Sequence, residues 1–141
     1  KAKFSNKVNI FKRFKNSPED KNKISKRYDL LYRLAYHDIG YIYDRVKTKK
    51  LNQIKIICSK KILAFYLLFN RTKFIFIYDT MFRKKVHTLN GDNLIQNKDI
   101  LKKMLSSFII KNMSLADNKK RSLFIIKTLE NIKKKIYLSK I

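Results

Sequence analysis

Two apolar runs, Ile62 to Phe69 and Lys73 to Phe82, stand on either side of Asn70-Arg71-Thr72 and limit the folds open to this chain. Each is about eight to ten residues long, well short of the roughly 20 that span a bilayer, and Arg71 and Lys73 place charge between them. The pattern is that of a β-hairpin, with no membrane helix. In the second run Phe74, Phe76 and Tyr78 fall on one face and Ile75 and Ile77 on the other. Both faces of that strand therefore need cover, from helices or from an RNA.

A chain of 141 residues suits one domain, and a hydrophobic content of 45% is enough to build a core. Its charge is harder to accommodate: 35 Lys and Arg against 10 Asp and Glu give a formal +25. A small domain stays soluble with a net charge of about 2–8, and a compact body at this excess repels itself unless a polyanion offsets it. A phosphate backbone does so at least cost, because each bound cation releases counterions. An anionic membrane is the rival, but membrane-surface proteins gather their charge on one amphipathic helix, and here it runs along the whole chain. Cys58 is the single cysteine, which excludes an intrachain disulfide and a multi-cysteine zinc site and reads as a buried thiol in a reducing compartment. With two Gly, one Pro and a preference for Lys, Ile, Asn, Phe and Tyr, the composition is that of a strongly AT-rich genome. Such a bias raises Lys and Asn together; it does not account for the scarcity of Asp and Glu. The start at Lys1, without Met, leaves a removed or separate leading segment as an expectation.

Taken in order, Lys1 to Ser17 mixes Lys12, Arg13, Lys15 and further lysines with Phe4, Val8, Ile10, Phe11 and Phe14, and holds no acid. It reads as a basic RNA-binding arm over residues 1–17, disordered alone and ordered on RNA. Ser17-Pro18-Glu19-Asp20 is a helix start, with a Ser cap, a Pro in the first turn and two acids at the positive dipole end. Ile24, Tyr28, Leu31 and Ala35 then follow at helical spacing and predict a helix over 19–38 that Gly40 ends or kinks. His37, beside Asp38, reads as a capping or surface residue. Between Asp44 and Asp79 there is no acid, while Lys49, Lys50, Arg71 and Lys73 are among the cations, so the sheet is expected to carry a basic edge.

Gln53 to Cys58, Ile62 to Phe69, Phe74 to Met81 and Lys85 to Leu89 predict an antiparallel meander within 53–89. Its aromatics are either core or stacking platforms for unpaired bases. Arg83, Lys84 and Lys85 follow the hairpin as a phosphate clamp. Past the turn Asn90-Gly91-Asp92-Asn93, two apolar stripes predict helices over 98–112 and 119–137, paired antiparallel. Lys119, Lys120, Arg121 and Ser122 open the second, where free amides and the helix dipole already favour a phosphate.

The run from Asp99 to Lys133, and within it Ala116-Asp117-Asn118-Lys119-Lys120-Arg121-Ser122-Leu123, resembles the opening of the small-subunit ribosomal protein seven family, whose helical domain begins with two helices around an Asp-Gly-Lys-Lys-Ser type turn. Asp117, Lys119, Lys120 and Ser122 match that turn; Asn118 replaces its Gly, Arg121 is an insertion, and the spacing from the first helix is a few residues longer. Asn tolerates a left-handed backbone, which makes the replacement acceptable. The resemblance covers about a quarter of the chain; residues 1–96 have no counterpart, and the rest of the family's helical domain, with its protruding β-hairpin, has no room after Ile141. It implies binding to the head of the small-subunit ribosomal RNA and a part in its assembly.

The expected architecture is α+β: a basic arm, a helix, a small antiparallel sheet and a C-terminal helix pair, the last three making one domain over 18–141. The expected role is structural, in an organellar (mitochondrial) ribosome of the matrix, with ribosomal RNA and neighbouring ribosomal proteins as partners. No catalytic motif, cofactor, metal or small-molecule substrate is called for, and membrane contact is not expected. An accessory subunit of an organellar membrane complex, docked through its apolar helices and anionic lipid, is the alternative. An enzyme acting on nucleic acid would need carboxylates such as Asp38, Asp44 and Asp79 to converge on metal ions.

Overall fold

The computed structural model describes residues 2–16, 31–59, 62–94 and 115–139. They form a six-stranded mixed sheet with two helices on one of its faces. The strands are β1 (Val8–Asn16), β2 (Leu51–Cys58), β3 (Leu63–Phe69), β4 (Thr72–Asp79), β5 (Met81–Leu89) and a two-residue β6 (Asp92–Asn93). Their order across the sheet is β2-β3-β4-β1-β5-β6. Helix α1 (Tyr36–Val46), led in by a π-helical turn over Leu31–Ala35, connects towards β2, and α2 (Leu115–Leu138) closes the described chain.

The apolar hairpin forms as its sequence predicts. Strands β2, β3 and β4 pair antiparallel, and β3 turns into β4 through Asn70 and Arg71, with Asn70 in the left-handed region at φ 52°. At the next hairpin Asn90 and Gly91 both take positive φ, 52° and 85°, the pattern of a type I′ turn that carries β5 into β6.

The largest departure from expectation lies at the N-terminus. The stretch read as a free arm contains β1, the strand at the centre of the sheet, parallel to β4 and antiparallel to β5. It separates β4 from β5, so the meander stops at β4 and the sheet is mixed. Even the residues before β1 are tied down: Phe4 packs against Phe11, Phe74 and Tyr41, and the Arg45 guanidinium lies 5.1 Å from its ring centre. The physical reason is that this stretch has enough apolar surface to pair and pack, provided one buried cation finds a partner.

Register places Ile56, Phe65, Phe76, Phe11 and Leu89 in one row across five strands. The Phe76 ring stacks on Phe65 at 5.0 Å and on Phe11 at 5.1 Å between centres. All three rings are fully buried. Removing each from water contributes roughly 1.5–3 kcal/mol, and each ring pair adds on the order of 0.5–1.5 kcal/mol. Leu31, Leu34, Ile39 and Ile42 from the first helical segment, and Ile125, Leu129, Ile132 and Ile136 from α2, cover this floor.

The helices pair with each other, but in a different combination from the one expected. Tyr32 meets Glu130 and Lys133, whereas Gly40 meets Arg121 and Ile125, so α1 and α2 run antiparallel. The predicted helix 98–112 lies outside the described residues, as does the predicted helix start at 17–30. Gly40 does not end α1; it lies inside it. A Cβ at Gly40 would sit 3.2 Å from Ile125 Cδ1, so the glycine admits the second helix, and its carbonyl accepts a hydrogen bond of 2.6 Å from Arg121 Nη2. Helix α2 also begins at Leu115, earlier than the expected 119. The stretch of the family resemblance, Asp117 to Ser122, is therefore helical, with Asn118 outside the left-handed region.

Candidate nucleic-acid interface

The expected RNA contacts fall into three places on the fold, and two of the cations are held inside it. One end of the sheet gathers the first group. The Lys73 amide donates to the Lys7 carbonyl at 2.8 Å, and Lys50 and Asn70 exchange bonds, Asn70 N to Lys50 O at 3.1 Å and Lys50 N to Asn70 Oδ1 at 3.2 Å. Lys7, Lys50, Arg71 and Lys73 thus share one rim, and the Lys49 amide, bonded to the Val46 carbonyl, brings a further cation to the α1–β2 connection beside it. Phe124 of α2 packs on Phe69 at that same end and on Tyr43. Because α2 runs antiparallel to α1, whose end leads to Lys49 and Lys50, the exposed Lys120, four residues before Phe124, lies towards that end of the sheet. Lys119 and Lys120 accordingly stand by the rim.

The second group, Arg83, Lys84 and Lys85, is exposed on the first half of β5, beyond the pairing of Val86 with Phe14 and so at the opposite end of the sheet. Lys15 is half-buried beside it, at the irregularity in pairing between Phe14 and Asn16. The third place is the sheet face away from the helices, where Lys12 is exposed between Ile77 and Thr88.

Arg13 and Arg121 have internal work instead. Arg121 clasps the Gly40 carbonyl between the helices. Ser122 lies well past the first turn of α2, so its amide falls within the helical ladder and is not one of the free ones; those belong to the turn that opens at Leu115.

Arg13 belongs to a buried polar row. Register sets Tyr78, Arg13 and His87 side by side on β4, β1 and β5, and Asp38 of α1 descends onto them. Asp38 Oδ1 accepts from Arg13 Nη2 at 3.0 Å and from His87 Nε2 at 2.8 Å, and its Oδ2 accepts from the Tyr78 hydroxyl at 2.9 Å. In the contact with Asp38, which can only accept, His87 donates through Nε2, the nitrogen that also lies 2.9 Å from Arg13 Nη2. The Asp38 side chain is 3% exposed and that of Arg13 16%. A carboxylate so buried is tolerable because an opposite charge and two further donors meet it. It was His37 that stood out beside Asp38 in sequence, yet His37 is exposed and touches Tyr36, while the histidine that reaches Asp38 is His87.

Two phenols are held in their neutral form. Burial, then the neighbouring Asp38 carboxylate, pushes Tyr78 well above its ordinary 10.0, against the pull of Arg13. Burial and a bond to Glu130 push Tyr32 up to about 12. Above pH 10 the unfolded phenols ionise while the folded ones keep their protons, so the stability they contribute is complete below that pH and declines as pH rises towards the folded values. We expect denaturant midpoints to fall on the alkaline side, with Tyr78 contributing to that fall. Tyr78→Phe should make that limb shallower; an unchanged limb in the variant would show that this phenol does not titrate differently on folding.

The three carboxylates weighed for metal chemistry, Asp38, Asp44 and Asp79, each have a different partner. Asp38 is committed as above, Asp44 is exposed and pairs with Lys47 at 3.5 Å, and Asp79 Oδ1 accepts from the Met81 amide at 2.8 Å. Among the described residues no group of three metal-ligating side chains forms, and no helix is long and apolar enough to cross a membrane. No family model, curated protein or solved structure matches the chain. The site therefore rests on its own geometry: exposed cations from four separate stretches of sequence brought to one rim.

Lys7 figured in the sequence only as one lysine of the arm, Lys55 as one cation of the basic edge and Tyr66 as one of the strand aromatics; none was singled out. Tyr66 sits in Ala64-Phe65-Tyr66-Leu67-Leu68, an unbroken apolar run in which only pairing register tells one face from the other.

Proposed function

We propose that the chain is a structural RNA-binding protein, whose rim of Lys7, Lys50, Arg71, Lys73, Lys119 and Lys120 holds phosphates of a folded RNA. The observation that carries this reading is the convergence of those cations from distant stretches onto one end of a rigid sheet, with α2 placed over it. Phosphate contacts of this kind position a protein on an RNA without reading its sequence, in keeping with a role in assembly and charge neutralisation. The second cluster, Arg83 to Lys85, lies at the other end, so one molecule can bridge two RNA segments.

Ribosomal RNA is one folded RNA large enough to engage both ends. The AT-rich composition and the basic excess favour a mitochondrial ribosome with neighbouring ribosomal proteins as further partners, and the sequence resemblance of residues 99–133, whose turn residues are helical here, points to its small subunit. A second reading, as an accessory subunit of an organellar membrane complex, draws on Leu123, Ile126, Tyr137 and Leu138, which α2 leaves exposed.

Sedimentation of the chain from organelle lysate, with and without ribonuclease, separates the two. Co-migration with the small ribosomal subunit that ribonuclease abolishes is the expected result. Migration with a detergent-solubilised complex, indifferent to ribonuclease, would overturn it in favour of the accessory subunit.

A further inference from the structure

The sheet face opposite the helices has a chemistry of its own. Register places Lys55, Tyr66, Ile75 and Ile10 in one row on β2, β3, β4 and β1. The row on one side holds Gln53, Leu68, Lys73 and Val8, and the row on the other holds Ala64, Ile77, Lys12 and Thr88. Neither described helix reaches this face, since the core residues of both pack on the Phe65–Phe76–Phe11 side. Its centre is apolar and half-buried, and Lys12, Lys55 and Lys73 stand around Tyr66 and the isoleucines. Among the described residues of this face the acid is Asp79, one row further out, with its carboxylate bonded to the Met81 amide.

Building on the RNA reading above, we propose that this face binds a short unpaired segment of the RNA, with a base stacked on Tyr66 and phosphates on Lys12, Lys55 and Lys73. The Tyr66 hydroxyl donates to Gln53 Oε1 at 2.9 Å, which fixes the ring, and Lys73 Nζ lies 4.7 Å from its centre. That ammonium occupies the place a base would take. An exposed ammonium over a ring is held less strongly than a stacked base, so the base displaces it and leaves it beside a phosphate. Lys55 and Ile10 are three strand spacings apart, about 14–15 Å, room for two or three bases as on other open sheet faces. A duplex hides its bases in the stack and cannot use Tyr66, so the face discriminates between single-stranded and double-stranded RNA.

The test compares binding of a labelled oligouridylate and an RNA duplex of equal length to the full chain. Tyr66→Ala should weaken the single strand about tenfold without changing its salt slope, leave the duplex within twofold, and be rescued by Tyr66→Phe. Lys55→Ala, an exposed position on the edge strand β2, should lower the single-strand salt slope by about 0.7. Equal loss on both RNAs, or no loss with Tyr66→Ala, overturns the face proposal and leaves the RNA reading standing. Failure of the unaltered chain to bind either RNA overturns both. A dimer that Tyr66→Ala dissociates would give the face to a second copy of the chain and also overturns the proposal.

Discussion

Asp38→Ala should cost the fold about 3–5 kcal/mol, a large part of the 5–15 kcal/mol that a domain of this size commonly has. The loss exceeds that of three hydrogen bonds because of what stays behind. The Arg13 guanidinium remains inside the fold, 16% exposed and with its Nε already unpartnered, and it loses the carboxylate it pairs with. His87 and the Tyr78 hydroxyl lose their acceptor at the same time. Asp38→Asn keeps the volume and one acceptor oxygen but removes the charge that answers Arg13, and should fall between Asp38→Ala and the unaltered chain. Replacing Asp38 and Arg13 together with apolar residues of similar volume should recover much of the loss, because no charge is then left buried. Urea denaturation followed by circular dichroism measures all three. A loss below about 1 kcal/mol for Asp38→Ala would mean that water reaches Arg13 and that this row does not hold β1 in the sheet.

The second large effect concerns binding. Substituting Ala at Lys50, Arg71, Lys119 and Lys120 together should reduce RNA affinity by about two to three orders of magnitude and the slope of log K against log salt by about three to four. Each of the four is exposed, so the fold should survive, with melting unchanged to within a few degrees. Arg13→Ala and Arg121→Ala remove the same charge per residue but should act mainly on stability, since both guanidiniums are bonded within the protein. Titrating labelled RNA over a range of salt separates the two kinds of arginine. If the fourfold variant bound with an undiminished slope, the phosphates would lie elsewhere, and Arg83 to Lys85 would be the next place to look.

The hairpin, the strands β2 to β4, the α+β class and a helix over most of α2 are legible in the residues, because apolar periodicity and the turn residues Asn70 and Asn90 depend on local chemistry alone. Strand β1 was not legible for a definite reason. Its inward residues are Asn9, Phe11 and Arg13, and only the row of Tyr78 and His87 beneath Asp38 makes an inward arginine acceptable. That partner comes from an element 25 residues further on, a separation at which sequence pattern carries no information. Gly40 misled for a similar reason: a glycine in a helix pattern signals an end when read locally, whereas here it answers to Ile125 and Arg121 on another helix. For the interface, the cations could be identified but not their grouping, since the rim is made by register and by where α2 crosses the sheet's end. Which of the strand aromatics faces outwards was not legible, because the neighbours of Tyr66 on both sides in sequence are apolar.

The central place of β1 also sets the order in which the molecule can be completed. Among the described strands its two neighbours, β4 and β5, are the last long ones to be made, and Arg13 must find His87 across 74 residues. At about 5–20 residues per second of synthesis, the first strand waits several seconds or more for the pair that will enclose it. Until then β2, β3 and β4 can form a local hairpin stack, but its inner edge lies open and the buried row around Asp38 does not exist. Folding is therefore dominated by one long-range closure, slow by nature because loop entropy is spent before the contacts that reward it are made. A nascent chain rich in unpaired lysine is in the meantime well suited to remain on the RNA that we propose it serves.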